Sequence, residues 1–305
     1  MINNFIVTTT INAPTEALIK FSQKNGWNLI VVGDLKTPHN EYKKINCVYL
    51  TPEYQEITYP ELSRVIGWNS IQRRNIGFIE AYNRGAQIIA SVDDDNIPLD
   101  CWGTDLLVNK IADIDVFEHS TGVFDPLTIT SYKHLWHRGF PVELLQGREV
   151  VKYLGKFKRK ILVQADLWNG DPDIDAIARI TFRPEVDLSE ITTPYSSNGI
   201  SPFNSQNTFL SREVFPIYSV LPFIGRMDDI WASYILQYYF PQNLAYHRPS
   251  VFQARNPQDL VVNLENEIFG YRNTYKLLKD LPNYKKHLPG KTLEFIDKYS
   301  KYFHE

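Results

Sequence analysis

Three consecutive carboxylates, Asp93, Asp94 and Asp95, follow directly on the apolar run Gln87-Ile-Ile-Ala-Ser-Val92. The run has the length and composition of a buried strand, and nothing structural calls for acids at its end. In an extended backbone alternate side chains share a face, so Asp93 and Asp95 point one way and Asp94 the other. Two carboxylates at the carboxyl end of a buried strand form half a site for a hard divalent cation, Mn²⁺ or Mg²⁺. Such an ion keeps positions open for phosphates, which makes the motif the signature of a nucleotide-sugar site. Asp94, on the other face, is placed for a sugar hydroxyl. The alternative for all three is a solvated turn.

Other residues have matching chemistry. Asp228 and Asp229 open a helix beside Arg226. One acid suffices to cap a helix, so the pair points to a general base that takes a proton from an acceptor hydroxyl. Arg74, preceded by Arg73, carries a guanidinium fork suited to phosphate or ribose, with a surface charge as the alternative. Asp34 ends a second apolar run in Gly-Asp, where it can accept from a pyrimidine N–H or cap a turn. His247 follows Leu244-Ala-Tyr246, with Arg248 and Arg255 nearby. Imidazole tolerates Mn²⁺, so His247 is a candidate third metal ligand, against a structural histidine as the alternative.

The elements that must position these groups alternate strand and helix. Phe5 to Ile11 reads as a strand, followed by a helix from Pro14 to Gly26. Leu29 to Asp34 reads as a second strand and Cys47 to Leu50 as a third. A helix from Asn69 to about Arg84 then leads into the strand before Asp93. This spacing predicts a mostly parallel central sheet with crossover helices. Ligands on such sheets bind at strand carboxyl ends, which is where Thr8, Thr9, Thr10, Asp34 and Asp93 to Asp95 fall. Asp171 to Arg179 reads as a capped short helix, and Pro184 to Asn204 as a loop serving either as a connector or as a lid or acceptor element. Asn207 to Leu210 is a short strand, Gly225 to about Phe240 a helix, Leu244 to His247 a last strand, and the chain beyond Asn263 is helical.

With 305 residues, 43% of them hydrophobic and 22% charged, the chain is long enough for one large α/β domain with a full core. A net charge of −3 supplies no basic excess to displace counterions, so nucleic acid is not an expected partner. Cys47 and Cys101 make no disulfide framework and fit a reducing, cytoplasmic compartment. No apolar run approaches the about 20 residues of a membrane span, and Ile2 to Ile11 reads directly as a strand rather than a leader. A protein without a transmembrane segment is expected, with peripheral membrane association left open.

Taken together, the motifs resemble known groups. Thr8-Thr-Thr-Ile-Asn-Ala-Pro-Thr15, Gly26-Trp-Asn-Leu-Ile-Val-Val-Gly-Asp-Leu-Lys-Thr-Pro38, Arg74-Asn-Ile-Gly77 and Asp93-Asp-Asp-Asn96 are similar to the STELLO-type glycosyltransferases. Arg138-Gly-Phe-Pro141, Pro172-Asp-Ile-Asp-Ala176, Gly225-Arg-Met-Asp-Asp-Ile-Trp231, Tyr246-His247 and Asn256-Pro257 also resemble the reversibly glycosylated polypeptides, which include UDP-arabinopyranose mutases. The likeness runs from about residue 5 to 267.

The resemblance implies an α/β fold of GT-A type, a UDP-sugar or related nucleotide-sugar donor, and a glycan or other hydroxyl acceptor. It supports Asp93 and Asp95 at the donor and its divalent cation, His247 at the metal and Asp228 or Asp229 near the acceptor; Thr8, Thr9, Asp34, Arg74 and Asp94, read from their own positions, complete the expected donor site. Direct displacement by such a base inverts the anomeric centre. The catalytic domain is expected over residues 1–262, with 263–305 as a helical extension packed on it. STELLO-type proteins carry an N-terminal membrane anchor that this sequence does not show. In the mutase-like group an arginine a few residues after the Arg-Gly-aromatic-Pro motif becomes glycosylated; that place falls on Leu145, which has no nucleophile. Transfer to a separate acceptor is therefore favoured over mutase activity or a silent nucleotide-sugar-binding partner.

Overall fold

The structure, a computed structural model, describes residues 3–303. Ile2, expected at the start of the first strand, and His304 and Glu305 of the expected extension lie outside the described residues. The first half contains β1 (Asn4–Thr10), α1 (Glu16–Ser22), β2 (Asn28–Gly33), β3 (Val48–Leu50), α2 (Pro52–Thr58), α3 (Pro60–Ile66), α4 (Arg74–Asn83) and β4 (Ile88–Val92); the strands and α1 fall where expected, α2 and α3 were not expected, and the helix expected from Asn69 begins at Arg74. Thr15 caps α1 by accepting from Leu18 N, and Thr51 caps α2 by accepting from Tyr54 N. The remainder comprises β5 (Asn96–Pro98), β6 (Ile111–His119), β7 (Val151–Lys160), β8 (Val163–Gly170), α5 (Ala176–Phe182), β9 (Tyr195–Ser197), β10 (Asn207–Ser211), α6 (Asp228–Tyr239), β11 (Leu244–Gln253), α7 (Leu260–Lys279) and α8 (Gly290–Ser300).

Among the described residues eleven strands join one sheet in the order β3-β2-β1-β4-β10-β8-β11-β9-β6-β7, with β5 pairing β11. The architecture is α/β, a large central sheet flanked by helices. The expected parallel arrangement holds from β3 to β4. Beyond β4 the sheet is mixed: β10 runs antiparallel to both β4 and β8, whereas β11 runs parallel to β8. The long hairpin of β6 and β7 was not expected, because its exposed Lys-rich strand lacks an apolar alternation.

Phe5, Ile6 and Val7 of β1 and Leu29 to Val32 of β2 are buried, as strands covered on both faces must be. Helix α4 covers them at close range. A Cβ on Gly77 would stand 2.5 Å from Val7 Cγ1 and 2.8 Å from Val32 Cγ2. Gly77→Ala is accordingly expected to destabilise the fold by about 1–3 kcal/mol, read as a lower denaturation midpoint with unchanged slope. Leu277, Leu281, Tyr284, Phe295 and Tyr299 of the C-terminal helical region belong to the same apolar core as the sheet. Among the described residues no helix is long and apolar enough to cross a membrane.

Candidate active site

The carboxyl ends of β1, β2 and β4 come together because the strands are parallel neighbours. Two adjoining cavities open there, sharing Asn69, Ser70 and Ile71. One, of about 510 Å³, is walled by Asp93, Asp95, Arg138, Asp228, Asp229, Arg226 and Arg255, with Asn266 of α7. The other, of about 450 Å³, is walled by Thr9, Thr10, Asp34, Asp94 and Asn256, with the apolar Ile11 and Ile71. The alternation of side chains after β4 thus sends Asp93 and Asp95 to one cavity and Asp94 to the other.

These three acids do different work. Asp94 joins the end of β1 to the segment after β11. Its Oδ2 accepts from Thr10 Oγ1 and from Asn12 Nδ2 (2.9 Å), and its Oδ1 accepts from Asn256 Nδ2 (3.2 Å). Asp93 accepts from the Arg74 guanidinium through Oδ1. Burial raises the Asp93 pKa, and the Asp94 and Asp229 charges add to that against the Arg74 charge. Asp95 Oδ2 accepts from Asn256 N at 2.9 Å, while its buried Oδ1 has no hydrogen-bond partner. Burial, then the Asp93 charge, pushes the Asp95 carboxyl up to about 6.

A buried carboxylate oxygen without a donor fits a cation ligand. Among the described residues no group of three His, Cys, Asp or Glu side chains is gathered for a metal. Asp95 and Asp93 therefore fit a cation that completes its shell with phosphates and water, as hard ions bound by few carboxylates do.

Opposite them, Asp228 and Asp229 start α6 and diverge in environment. Arg138 Nη1 and Nη2 donate to Asp229 Oδ1 and Oδ2 at 2.9 and 3.2 Å, and Ser205 N donates to Asp229 Oδ2 at 2.8 Å. Burial works to raise the Asp229 pKa, but Arg138 outweighs it and the net shift is downward. Asp228 accepts from Gln72 Nε2 (2.8 Å) and Asp229 N (3.0 Å), with Arg138 at 3.9 Å. Burial and the Asp229 charge push Asp228 up to about 7. The two neighbouring acids thus sit in opposite electrostatic settings, Asp229 in an ion pair with Arg138 and Asp228 with its carboxyl pushed up. The sequence put Asp229 ahead of Asp228 as the base; in the structure both Asp229 oxygens accept from Arg138, and Oδ2 also from Ser205.

Four further expectations are corrected. His247 is absent from both cavities and lies on β11 opposite Asp166, with Nδ1 3.8 Å from Asp166 Oδ1. The strand does not end there: Pro249 interrupts the ladder, which resumes from Val251 to Gln253 after an irregularity. Gln253, not His247, reaches the cleft, about 20 Å further along at the strand rise per residue. Arg74 is buried and serves as a brace: Nη1 donates to the Ser205 carbonyl and hydroxyl at 2.9 Å each, and Nη2 to Asp93. Asp34 is a loop cap, accepting from Asn69 N at 2.8 Å, Ser70 N at 3.1 Å and Leu35 N at 2.6 Å. Thr8 is fully buried, with its hydroxyl on the Thr9 carbonyl. Thr9 does line a cavity, although its hydroxyl donates to Val32 O at 2.9 Å.

Sequence reasoning did not assign Arg138, Asp173, Gln72, Arg226 and Arg255. Arg138 is buried between Asp173, 2.9 Å from its Nε, and Asp229, partners 35 and 91 residues away in the chain. The local signal was Gly139: with φ +78° and a would-be Cβ 2.4 Å from Ile230, only glycine lets the Arg138 loop lie against α6. Leu145 packs against the apolar cluster of Val123, Phe140 and Leu144 and lines neither cavity.

Comparison with known proteins adds a relationship. No family model matches the chain. Probable glycosyltransferases STELLO1 and STELLO2 of Arabidopsis thaliana are 23% and 24% identical to it over 230 residues, which is 69% of this chain and 30% of each relative. The chain therefore corresponds to about a third of the length of these relatives. Among solved structures, glucosyl-3-phosphoglycerate synthase from Mycobacterium tuberculosis, in complex with phosphoglyceric acid, matches 90% of this chain and 78% of its own, at 15% identity and a TM-score of 0.44. By sequence, the chain is similar to the STELLO-type glycosyltransferases over 69% of its length.

Proposed function

We propose that the chain is a glycosyltransferase of GT-A type that takes a sugar from a nucleoside diphosphate donor, UDP first among the bases, to an acceptor hydroxyl. The reading rests on one observation: an unpartnered Asp95 oxygen and an Asp228 carboxyl pushed up to about 7 line the same cavity. In this reading the nucleoside occupies the cavity of Thr9, Asn12 and Ser70, its base against Ile11 and Ile71. The sugar and acceptor occupy the neighbouring cavity. Asp228 accepts the acceptor's proton as that oxygen bonds to the anomeric carbon and the bond to the diphosphate oxygen breaks. The anomeric centre inverts. Asp229, fixed by Arg138 and Ser205, holds the first turn of α6 and so the position of Asp228. Asp95 and Asp93 would hold a divalent cation, Mn²⁺ or Mg²⁺, which offsets charge on the leaving diphosphate.

The test is a panel of nucleotide sugars scored by thermal shift with and without Mn²⁺. A ligand at a hundredfold its Kd stabilises the fold by about 2.7 kcal/mol, so a UDP-sugar is expected to raise Tm, and more so with Mn²⁺. No shift with any nucleotide sinks the proposal. A transferred sugar that keeps the donor's anomeric configuration removes Asp228 as base.

A further inference from the structure

The cavity of the paired acids has a second charged feature that donor binding at Asp95 does not use. Arg226 stands two residues before Asp228 and is tethered by one edge: Nε donates to Glu267 Oε1 at 2.8 Å and Nη1 to Asn263 Oδ1 at 3.3 Å. Glu267 is itself fully buried and pinned by Ala176 N at 2.9 Å and the Tyr271 hydroxyl at 2.8 Å. The Arg226 carbonyl accepts from Arg138. This fixes the residue from three sides, yet its side chain retains 22% of its surface, in a cavity it walls together with Arg255 and Asn266.

Arg255 is held from behind by the Pro172 carbonyl at 3.1 Å from its Nη2 and by Asp171, whose Oδ1 is 3.1 Å from Nε. Asp171 is shared with Arg179, so one carboxylate serves two guanidiniums. Burial, then Arg179, lowers the Arg255 pKa against the opposing charges of Asp171 and Asp173, and Arg226 adds a smaller push downward. Both guanidiniums wall the same cavity, and a carboxylate or phosphate seated there could accept from the donors their tethers leave over.

We propose that Arg226 and Arg255 form an anion subsite for a carboxylate or phosphate carried by the acceptor, so that the acceptor is an anionic molecule rather than a neutral glycan. This rests on the transferase reading, in which the donor's diphosphate lies at the strand-end acids. The same anion could instead be that diphosphate, and the experiment separates the two. Arg226 neighbours the candidate base, which puts the subsite on the acceptor's side. Helix α7 thereby helps to build the site, lining the cavity with Asn266 and holding Arg226 through Asn263 and Glu267.

The test is calorimetric titration of the full chain with inorganic phosphate, alone and after saturation with UDP at fixed free Mg²⁺. Phosphate is expected to bind the UDP-loaded chain. Arg226→Gln should weaken phosphate by about tenfold or more, the worth of one charge-assisted contact, while UDP affinity moves less than about twofold. Arg226→Lys, which keeps the charge but not the fork, should fall between, and the Tm of each variant reports its folding. Competition between phosphate and UDP would assign the arginines to the donor and overturn the proposal, as would unchanged phosphate affinity in Arg226→Gln. UDP titrated alone reads the transferase proposal separately. No UDP binding sinks that reading and the acceptor assignment with it, whereas UDP binding without phosphate binding sinks only the subsite.

Discussion

Asp228→Asn is expected to lower transfer by about a hundredfold or more while leaving the fold as stable as before, or more stable, and Asp229→Asn to unfold the protein more readily. The sign follows from the environment of each acid. Asp228 has its folded pKa raised to about 7 by burial and then by Asp229, so the native state binds its proton more tightly than the unfolded chain. Its contribution to stability is fully present below an ordinary carboxylate pKa of about 3.9 and is lost as pH climbs towards 7. Removing the carboxyl removes that loss, worth about 1 kcal/mol or more at neutral pH. Asp229 is the opposite case: its pKa is lowered because Arg138 outweighs burial. Its contribution is present above about 4 and lost in acid. Without it Arg138 keeps Asp173 and, at 3.9 Å, Asp228, and breaking one partner out of a buried ion cluster costs about 3 kcal/mol. Urea midpoints at pH 7 check the ordering; equal destabilisation by both changes would refute it. The wild-type rate should rise with pH through about 7 as Asp228 loses its proton, and the residual rate of Asp228→Asn should be flat there.

Asp95→Asn carries the second large expected effect. Its Oδ1 is buried without a partner and its carboxyl is pushed up to about 6 by burial and then Asp93. The substitution is expected to leave the ligand-free Tm unchanged or raised, since a carboxylate that resists ionisation is removed. It should erase the Mn²⁺-dependent part of the nucleotide shift and, with several kcal/mol of leaving-group stabilisation gone, slow transfer about a thousandfold. Direct Mn²⁺ titration gives a readout besides rate. Unchanged Mn²⁺ affinity would show that Asp95 is no ligand, whatever the effect on turnover.

What could be read from the chain alone was local. The apolar runs of β1, β2 and β4, the crossover helices between them, and the two-residue period that splits Asp93 and Asp95 from Asp94 all follow from backbone geometry and side-chain burial over a few residues. Resemblance extended that to a donor class, and Asp228 and Asp229 were singled out because one cap suffices for a helix. The limits were equally physical. His247 was misplaced because the strand read from Leu244 to His247 continues, after an irregularity, to Gln253. Arg74 and Asp34 have the right chemistry for ligands, but their hydrogen-bonding groups are turned to Ser205 and Asp93, and to the backbone at 69 and 70. The difference between two adjacent aspartates lay beyond any local pattern. It depends on Arg138 and Ser205, brought from 91 and 24 residues away. A charge's cost is set by what surrounds it after folding, and short spacing along a chain carries no record of that.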